Sequence, residues 1–354
     1  MVEKLSIGGQ DIKRGQRTVV ALPVTVDLDG NHITIYAHVL AGVKPGPTLA
    51  LLSMLHGSEW QSMEVVKRVL DELDPADMSG NLIAVPVCNP VAFGQLTRNT
   101  PDESDRPDLN RVFPGGGHWT WIASQIASVI AREVMAPADA MIAFHLMSAW
   151  GQILVEVVCG IDYPDPEVVA SSQAMARAFG VPSIHEARVV SSHLGPRCAT
   201  GYFSGVLGRP AISAEVGGAG FRPSEEEKWV QANVRGITNV MKHMGILKGE
   251  QELPPERFLV WEDSSMWVVN PSKGGYLIPA VEPERLMGEV QKGELLGTVI
   301  SPYTFEELER LEAPGRGVLF YCSRTCAVRP GDWAFGVVDL EDPSTRWESP
   351  IVHT

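Results

Sequence analysis

The chain has 354 residues, 44% of them hydrophobic and 20% charged, with a formal net charge of −14. That length supports a large core divided between two domains. The acidic balance excludes a nucleic-acid-binding surface, which shows itself as a basic patch, but leaves room for a local arginine cluster and a small anionic substrate. Five scattered cysteines (Cys88, Cys159, Cys198, Cys322 and Cys326) build no disulfide framework and fit a reducing compartment. The polar start "MVEKLSIGGQDIKRGQ" lacks the apolar core of a secretion signal, and no apolar run approaches the ~20 residues of a membrane span. A cytoplasmic protein without membrane or nucleic-acid partners is expected; whether it forms a homo-oligomer stays open.

In chain order, Thr18–Gly42 reads as two β-rich runs joined by a turn at Asp29-Gly30, where glycine supplies the positive φ. "TLALLSML" (from Thr48) predicts a strand and "EWQSMEVVKRVLDEL" (from Glu59) a helix; "NLIAVPVC" is a strand ahead of Asn89-Pro90. "WTWIASQIASVIAREVM" predicts a helix, "AMIAFH" and "ILVEVVC" strands, "PEVVASSQAMARAF" a helix, and "AISAEVGG" a strand before a helix over about 224–244. Such alternation predicts an α/β sheet covered by helices on both faces. At "LKGEQELPPERF" the composition turns charged and proline-bearing, marking a boundary near 250. Beyond it, short β-type runs punctuated by glycine predict a smaller all-β domain over 251–354.

Ligands of open α/β sheets bind beyond the carboxyl ends of the strands. His56 follows the strand that starts at Thr48, and Glu59 lies at the start of the next helix; His145 ends "AMIAFH" and Glu215 ends "AISAEV". Singly, each has an ordinary explanation: an acidic residue easing a helix dipole, a core histidine, a carboxylate paired with arginine. Together, three strand ends deliver two histidines and two glutamates to one sheet edge. Hydrolytic zinc is held by such a set, with a further glutamate free to act as general base. The long loop Asn89–Gly116 adds Arg98, Asn110 and Arg111, and arginine suits carboxylate recognition and oxyanion stabilisation.

In order, "LHGSE" (55–59), Asn89-Pro90 with Arg98, "DLNRVFPGG" (108–116), "AFH" (143–145) and "AEVGGAG" (214–220) resemble the succinylglutamate desuccinylase/aspartoacylase family of zinc carboxypeptidase-like hydrolases. The resemblance runs over roughly residues 45–340, because the tail is similar to that family's β domain, itself related to biotinyl/lipoyl-type folds. It implies a mixed sheet flanked by helices in residues 1–250, with the β domain in 251–354. It also implies one Zn²⁺ per chain on His56, Glu59 and His145, Glu215 as general base, and Arg98 polarising the scissile carbonyl. Asn110 and Arg111 would hold the carboxylate of a small N-acyl amino acid, from which acetyl, succinyl or a similar group is removed.

The family places an aspartate two residues before the third ligand; here Ala143 stands there, followed by Leu146, Met147 and Trp150. A carboxylate normally orients a ligand histidine, so another acceptor is expected. Arg197 is the candidate for a second carboxylate contact, while His118, His185 and His193 read as structural or loop residues. Two alternatives remain: a metallocarboxypeptidase acting on short peptides, and a zinc-binding protein without turnover.

Overall fold

The computed structural model describes residues 5–27, 29–101, 106–116, 120–146, 151–153, 155–189, 194–218, 223–253, 257–323 and 326–349, without the side chains of 151–153, 223 and 283. A ten-stranded sheet runs in the spatial order Arg346–Glu348, Phe258–Glu262, Ser183–Ala187, Glu156–Gly160, Ala211–Glu215, Ala140–His145, Lys44–Leu52, Ser79–Val85, His32–Ala41 and Gln16–Val26. It is mixed: the inner pairings are parallel except that of Glu156–Gly160 with Ala211–Glu215, and the edges are antiparallel.

Alternation along the strands gives the sheet two apolar faces. In Lys44–Leu52, Leu49 and Leu51 join one core while Ala50 and Leu52 join the other. Helices Gln61–Glu72, Pro166–Phe179 and Pro223–His243 cover the first face. Val230, Val234, Ile237 and Met241 recur at helical spacing on the last of them and are buried. Each such aliphatic side chain contributes roughly 1.5–3 kcal/mol when fully buried. Helices Ile122–Ile130 and Ala199–Gly205 pack on the second face.

Most predicted elements form where periodicity placed them, with two differences. The predicted strand "ILVEVVC" is divided, Ile153 ending a strand that pairs with the C-terminal sheet and Glu156–Gly160 running in the main sheet. The "WTWIASQIASVIAREVM" helix stays α-helical only over Ile122–Ile130 and widens to a π-turn at Ala131–Met135.

The C-terminal part forms two small sheets. One orders Met266–Val269, Phe335–Asp339, Gly317–Ser323 and Glu289–Val290; the other orders Glu307–Glu312, Leu295–Ile300, Gly275–Pro279 and Ala327–Val328. Pairing crosses the 250/251 boundary in both directions. Strand Gly151–Ile153 joins the C-terminal sheet through Gly317–Ser323, and Phe258–Glu262 with Arg346–Glu348 extends the main sheet. The latter edge is pinned by charge: Arg177 donates to both oxygens of Glu348 at 2.9 Å and to Glu186 at 3.1 Å. The C-terminal sheets are thereby fixed against the second face, where they wall a cavity. Among the described residues no helix is long and apolar enough to cross a membrane.

Candidate metal centre and its cavity

Strand Lys44–Leu52 ends in a sharp turn. Buried Met54 has φ 50° there, a left-handed conformation that costs a bulky residue on the order of 1–3 kcal/mol and clusters at functional sites. Gly57 is small because the loop presses on helix Pro90–Gly94: a Cβ would lie 2.1 Å from the carbonyl carbon of Ala92. The turn closes when Glu59 N–H donates to the His56 carbonyl at 3.2 Å, and the Ser62 hydroxyl ties it to the helix by donating to the Glu59 carbonyl at 2.6 Å. Glu59 therefore sits just ahead of the helix proper, which starts at Gln61.

In Ala140–His145, Ile142 and Phe144 face the helical core and Met141 and Ala143 the other. Period-two alternation then sends His145 to the cavity face. Glu215 is its neighbour in the parallel register, and Glu156 is the cross-strand partner of Glu215 in the antiparallel one. A row His145–Glu215–Glu156 crosses three strands on one face.

His56 Nδ1 lies 2.8 Å from Glu59 Oε1 and His145 Nδ1 lies 3.2 Å from Glu59 Oε2. All three residues are buried, and one ligand atom from each lies within 4.8 Å of the others. The far ring nitrogens are occupied too. His56 Nε2 is 3.0 Å from Asp108 Oδ1, and His145 Nε2 is 3.3 Å from Asn110 Nδ2. Asn110 is held in turn, since its Oδ1 accepts the Ala199 N–H at 2.8 Å. Ala143, by contrast, is wholly buried, beside Leu52 and Ser213 in the registers. Asn110 is thus the side chain that meets the His145 ring nitrogen not facing Glu59. Arg98 approaches Glu59 at 3.3 Å and Asp108 at 3.8 Å, and Arg111 donates to the Asn110 carbonyl at 2.7 Å.

These contacts set the charges. Burial pushes His56 down, but the Glu59 charge and the hydrogen bonds with Asp108 and Glu59 outweigh it and raise its pKa to about 9. Burial opposes the Glu59 carboxylate, yet His56 and His145 hold it at about 2. Asp108, likewise against its burial, is held well below the usual carboxylate range by His56 and Arg98. Burial depresses His145 despite the Glu59 contact. Glu215, enclosed by protein but partly open to the cavity, is raised to about 8 by burial and then by the Glu59 charge.

The donor set fits a zinc ion: two imidazole nitrogens and one carboxylate converge, with ring orientation already fixed from behind. They line a cavity of about 560 Å³ together with Glu215, Arg98, Asn110 and Arg111. Of the residues expected from sequence, seven of the eight therefore meet. Arg197 lies apart: it is exposed, and its carbonyl accepts the Phe113 N–H at 3.0 Å. His185 is a wall residue, hydrogen-bonded to Asp263 at 3.0 Å and stacked on Trp261 at 3.9 Å. His118, His193, Met147 and Trp150 lie outside the described residues.

The role of Asp108 escaped the sequence reading although it opens "DLNRVFPGG"; a short-range motif does not reveal which histidine its carboxylate will meet. Glu156 escaped as a lone acid in an apolar strand, and Trp261, Asp263, Met266, Phe320 and Trp333 reach the cavity only through folding of the C-terminal part.

The sequence profile of the succinylglutamate desuccinylase/aspartoacylase catalytic domain matches residues 45–244, more than half of the chain. The chain belongs to this family. Among curated proteins it is similar to the N-alpha-acetyl-L-2,4-diaminobutyric acid deacetylase of Halomonas elongata, 25% identical over 233 residues, which are 65% of this chain and 64% of that protein. The match thus spans a little under two thirds of the curated relative. Among solved structures it is similar to a succinylglutamate desuccinylase of Silicibacter sp. TM1040 at 25% identity, with a TM-score of 0.79 over 93% of this chain and 97% of that one. It is also similar to the product-bound ectoine utilization protein EutE (DoeB) of Ruegeria pomeroyi, at 25% identity and a TM-score of 0.77 over 92% and 97%. The family's fold, a mixed α/β sheet with helices and added C-terminal antiparallel sheets, is the fold described above.

Proposed function

We propose that this family member is a zinc-dependent amidohydrolase that removes the N-acyl group from a small N-acylated amino acid. The observation that carries the reading is the convergence of His56, Glu59 and His145 with Glu215 beside them in one cavity. His56, Glu59 and His145 would hold one zinc ion per chain, which supplies Lewis-acid polarisation of water and carbonyl. Glu215 takes the proton of the water that attacks the amide carbon and hands it to the departing amine. Without metal, burial and the Glu59 charge raise the Glu215 pKa to about 8; a zinc cation beside it would favour the ionised form that accepts a proton. The Arg98 guanidinium, half-exposed at the cavity, stabilises the oxyanion that develops.

Asn110 is already committed to Ala199 and His145, so Arg111 is left to hold the substrate's carboxylate, with Asn110 fixing its base. Arg197 is not needed for these steps. We take residues 1–250 as the catalytic unit and 251–354 as the β unit. Met266, Phe320 and Trp333 of the β unit wall the cavity, which favours small substrates over peptide chains. The relatives' names, a deacetylase and a desuccinylase, support the same bond type.

The test is amine release from a panel of N-acyl amino acids and blocked dipeptides by zinc-loaded protein. Hydrolysis of the N-acyl amino acids, and its loss in Glu215→Gln, is expected. Cleavage of the dipeptides alone would make the protein a carboxypeptidase, and no cleavage at all would leave a zinc-binding protein without turnover.

A further inference from the structure

Glu156 has no part in the chemistry above, yet it lines the cavity with 2% of its surface exposed. It stands directly across from Glu215 in the antiparallel register, and Ser183 follows it in the parallel one. Glu215, Glu156 and Ser183 thus continue the row begun at His145. Like charges at opposed positions are unfavourable, and burial adds to the cost. Among the described residues no cationic side chain forms an ion pair with Glu156. Burial first, and the Glu215 charge second, push its carboxyl well above the usual range, so that it holds its proton near neutral pH.

Hydrogen bonding fixes where that proton sits. The Trp261 indole N–H, which can only donate, meets Ser183 Oγ at 3.0 Å. The one hydroxyl proton of Ser183 then goes to Glu156 Oε2, 3.2 Å away. An oxygen that accepts there is the carbonyl oxygen of the acid, which leaves the O–H on Oε1. Glu215 has the complementary need: among the described residues no N–H or hydroxyl donor holds its carboxylate. Directly opposed residues have Cβ atoms about 4.5–5.5 Å apart, close enough for one carboxyl to donate to the other, directly or through a water. We infer that Glu156 is a positioning residue whose O–H donates to the Glu215 carboxylate and aims that base at the water it deprotonates. The inference rests on the deacylase reading and adds to it what orients the base. A carboxylic acid kept neutral by its site is a competent donor of this kind. Glu156 keeps its own proton throughout, and the proton that passes from water to amine is carried by Glu215. That sets Glu156 apart from a second base, which has to ionise, and from a filler residue, which does nothing for Glu215.

Three variants separate these roles. Glu156→Gln keeps a neutral donor of the same size, Glu156→Leu removes the donor, and Ser183→Ala frees the oxygen that Ser183 holds. With zinc-loaded protein and the N-acyl amino acids of the panel, Glu156→Leu is expected to lose about 10–100-fold in kcat, the scale of a hydrogen bond to a charged group. KM and zinc content should change little. Glu156→Gln should keep most of the wild-type kcat, and Ser183→Ala should fall between the two. Full kcat in Glu156→Leu, or an equal loss in Glu156→Gln and Glu156→Leu, overturns the inference while leaving the deacylase reading intact. Wild-type protein that hydrolyses none of the panel sinks both.

The state of Glu156 is also read without turnover. The infrared spectrum of wild-type protein minus that of Glu156→Gln at pH 7, with and without zinc, should contain the carbonyl band of a protonated carboxyl. A carboxylate band in its place overturns the inference. Glu156→Met, closer to glutamate in length, takes the place of Glu156→Leu should the latter fail to fold, and the infrared band decides if both fail.

Discussion

Asp108 and His56 form the contact on which the site's geometry turns: Oδ1 of the aspartate lies 3.0 Å from Nε2 of the histidine, leaving Nδ1 to face Glu59. The same oxygen accepts the backbone N–H of Asn110 at 2.8 Å, so one carboxylate fixes the first ligand and the turn that carries the side chain behind the third. Asp108→Asn keeps the shape but removes the charge. Zinc affinity, read by competition with a chelator, is expected to fall about 10–100-fold with the circular dichroism spectrum unchanged.

Binding of zinc must displace the proton that His56 holds with a pKa of about 9. Calorimetric titration at pH 7 in buffers of differing ionisation enthalpy should therefore show proton release. Apparent zinc affinity should rise steadily from pH 6 to about pH 9. A pH-independent affinity would contradict the described charge state.

Without metal, the same groups shape stability. His56 has a folded pKa above its unfolded value of 6.5, so its contribution is complete below pH 6.5 and is lost as pH rises toward about 9. Glu215, raised from 4.5 to about 8, acts in the same direction over its own window, because the folded state holds the proton longer. Glu59, lowered from 4.5 to about 2, contributes above pH 4.5 and loses its contribution as pH falls toward 2. The melting temperature of chelated protein should therefore peak on the acidic side of neutrality and fall between pH 6 and 9.

Gly57→Ala places a Cβ against the backbone at Ala92. The loop and helix Pro90–Gly94 must separate, displacing His56 and Glu59. A stability loss of about 1–3 kcal/mol should appear in denaturant titration, accompanied by weaker zinc binding. Unchanged zinc affinity would show that the loop does not need this close approach.

Local pattern carried much of the sequence reading. Periodicity located the strands that end near His56, at His145 and at Glu215, because a strand end and the helix after it are neighbours in sequence. The alternation that aims His145 at the cavity is likewise local. Asp108 reaches His56 across 52 residues, and nothing in the intervening chain records that closure. Glu156 becomes informative only when the antiparallel register sets it opposite Glu215. Composition suggests a division at 250/251, whereas pairing of Phe258–Glu262 with Ser183–Ala187 across it depends on which sheet edge is free, a property of the folded sheet.

Metal-dependent deacylation is tested most directly by following amine release from Nα-acyl amino acids while zinc is removed and restored. The expected result is about one zinc per chain, hydrolysis abolished by chelation, and recovery on adding zinc to wild-type protein but not to Glu215→Gln. Hydrolysis that survives complete zinc removal, or zinc-loaded protein that releases no amine from the panel, would contradict it.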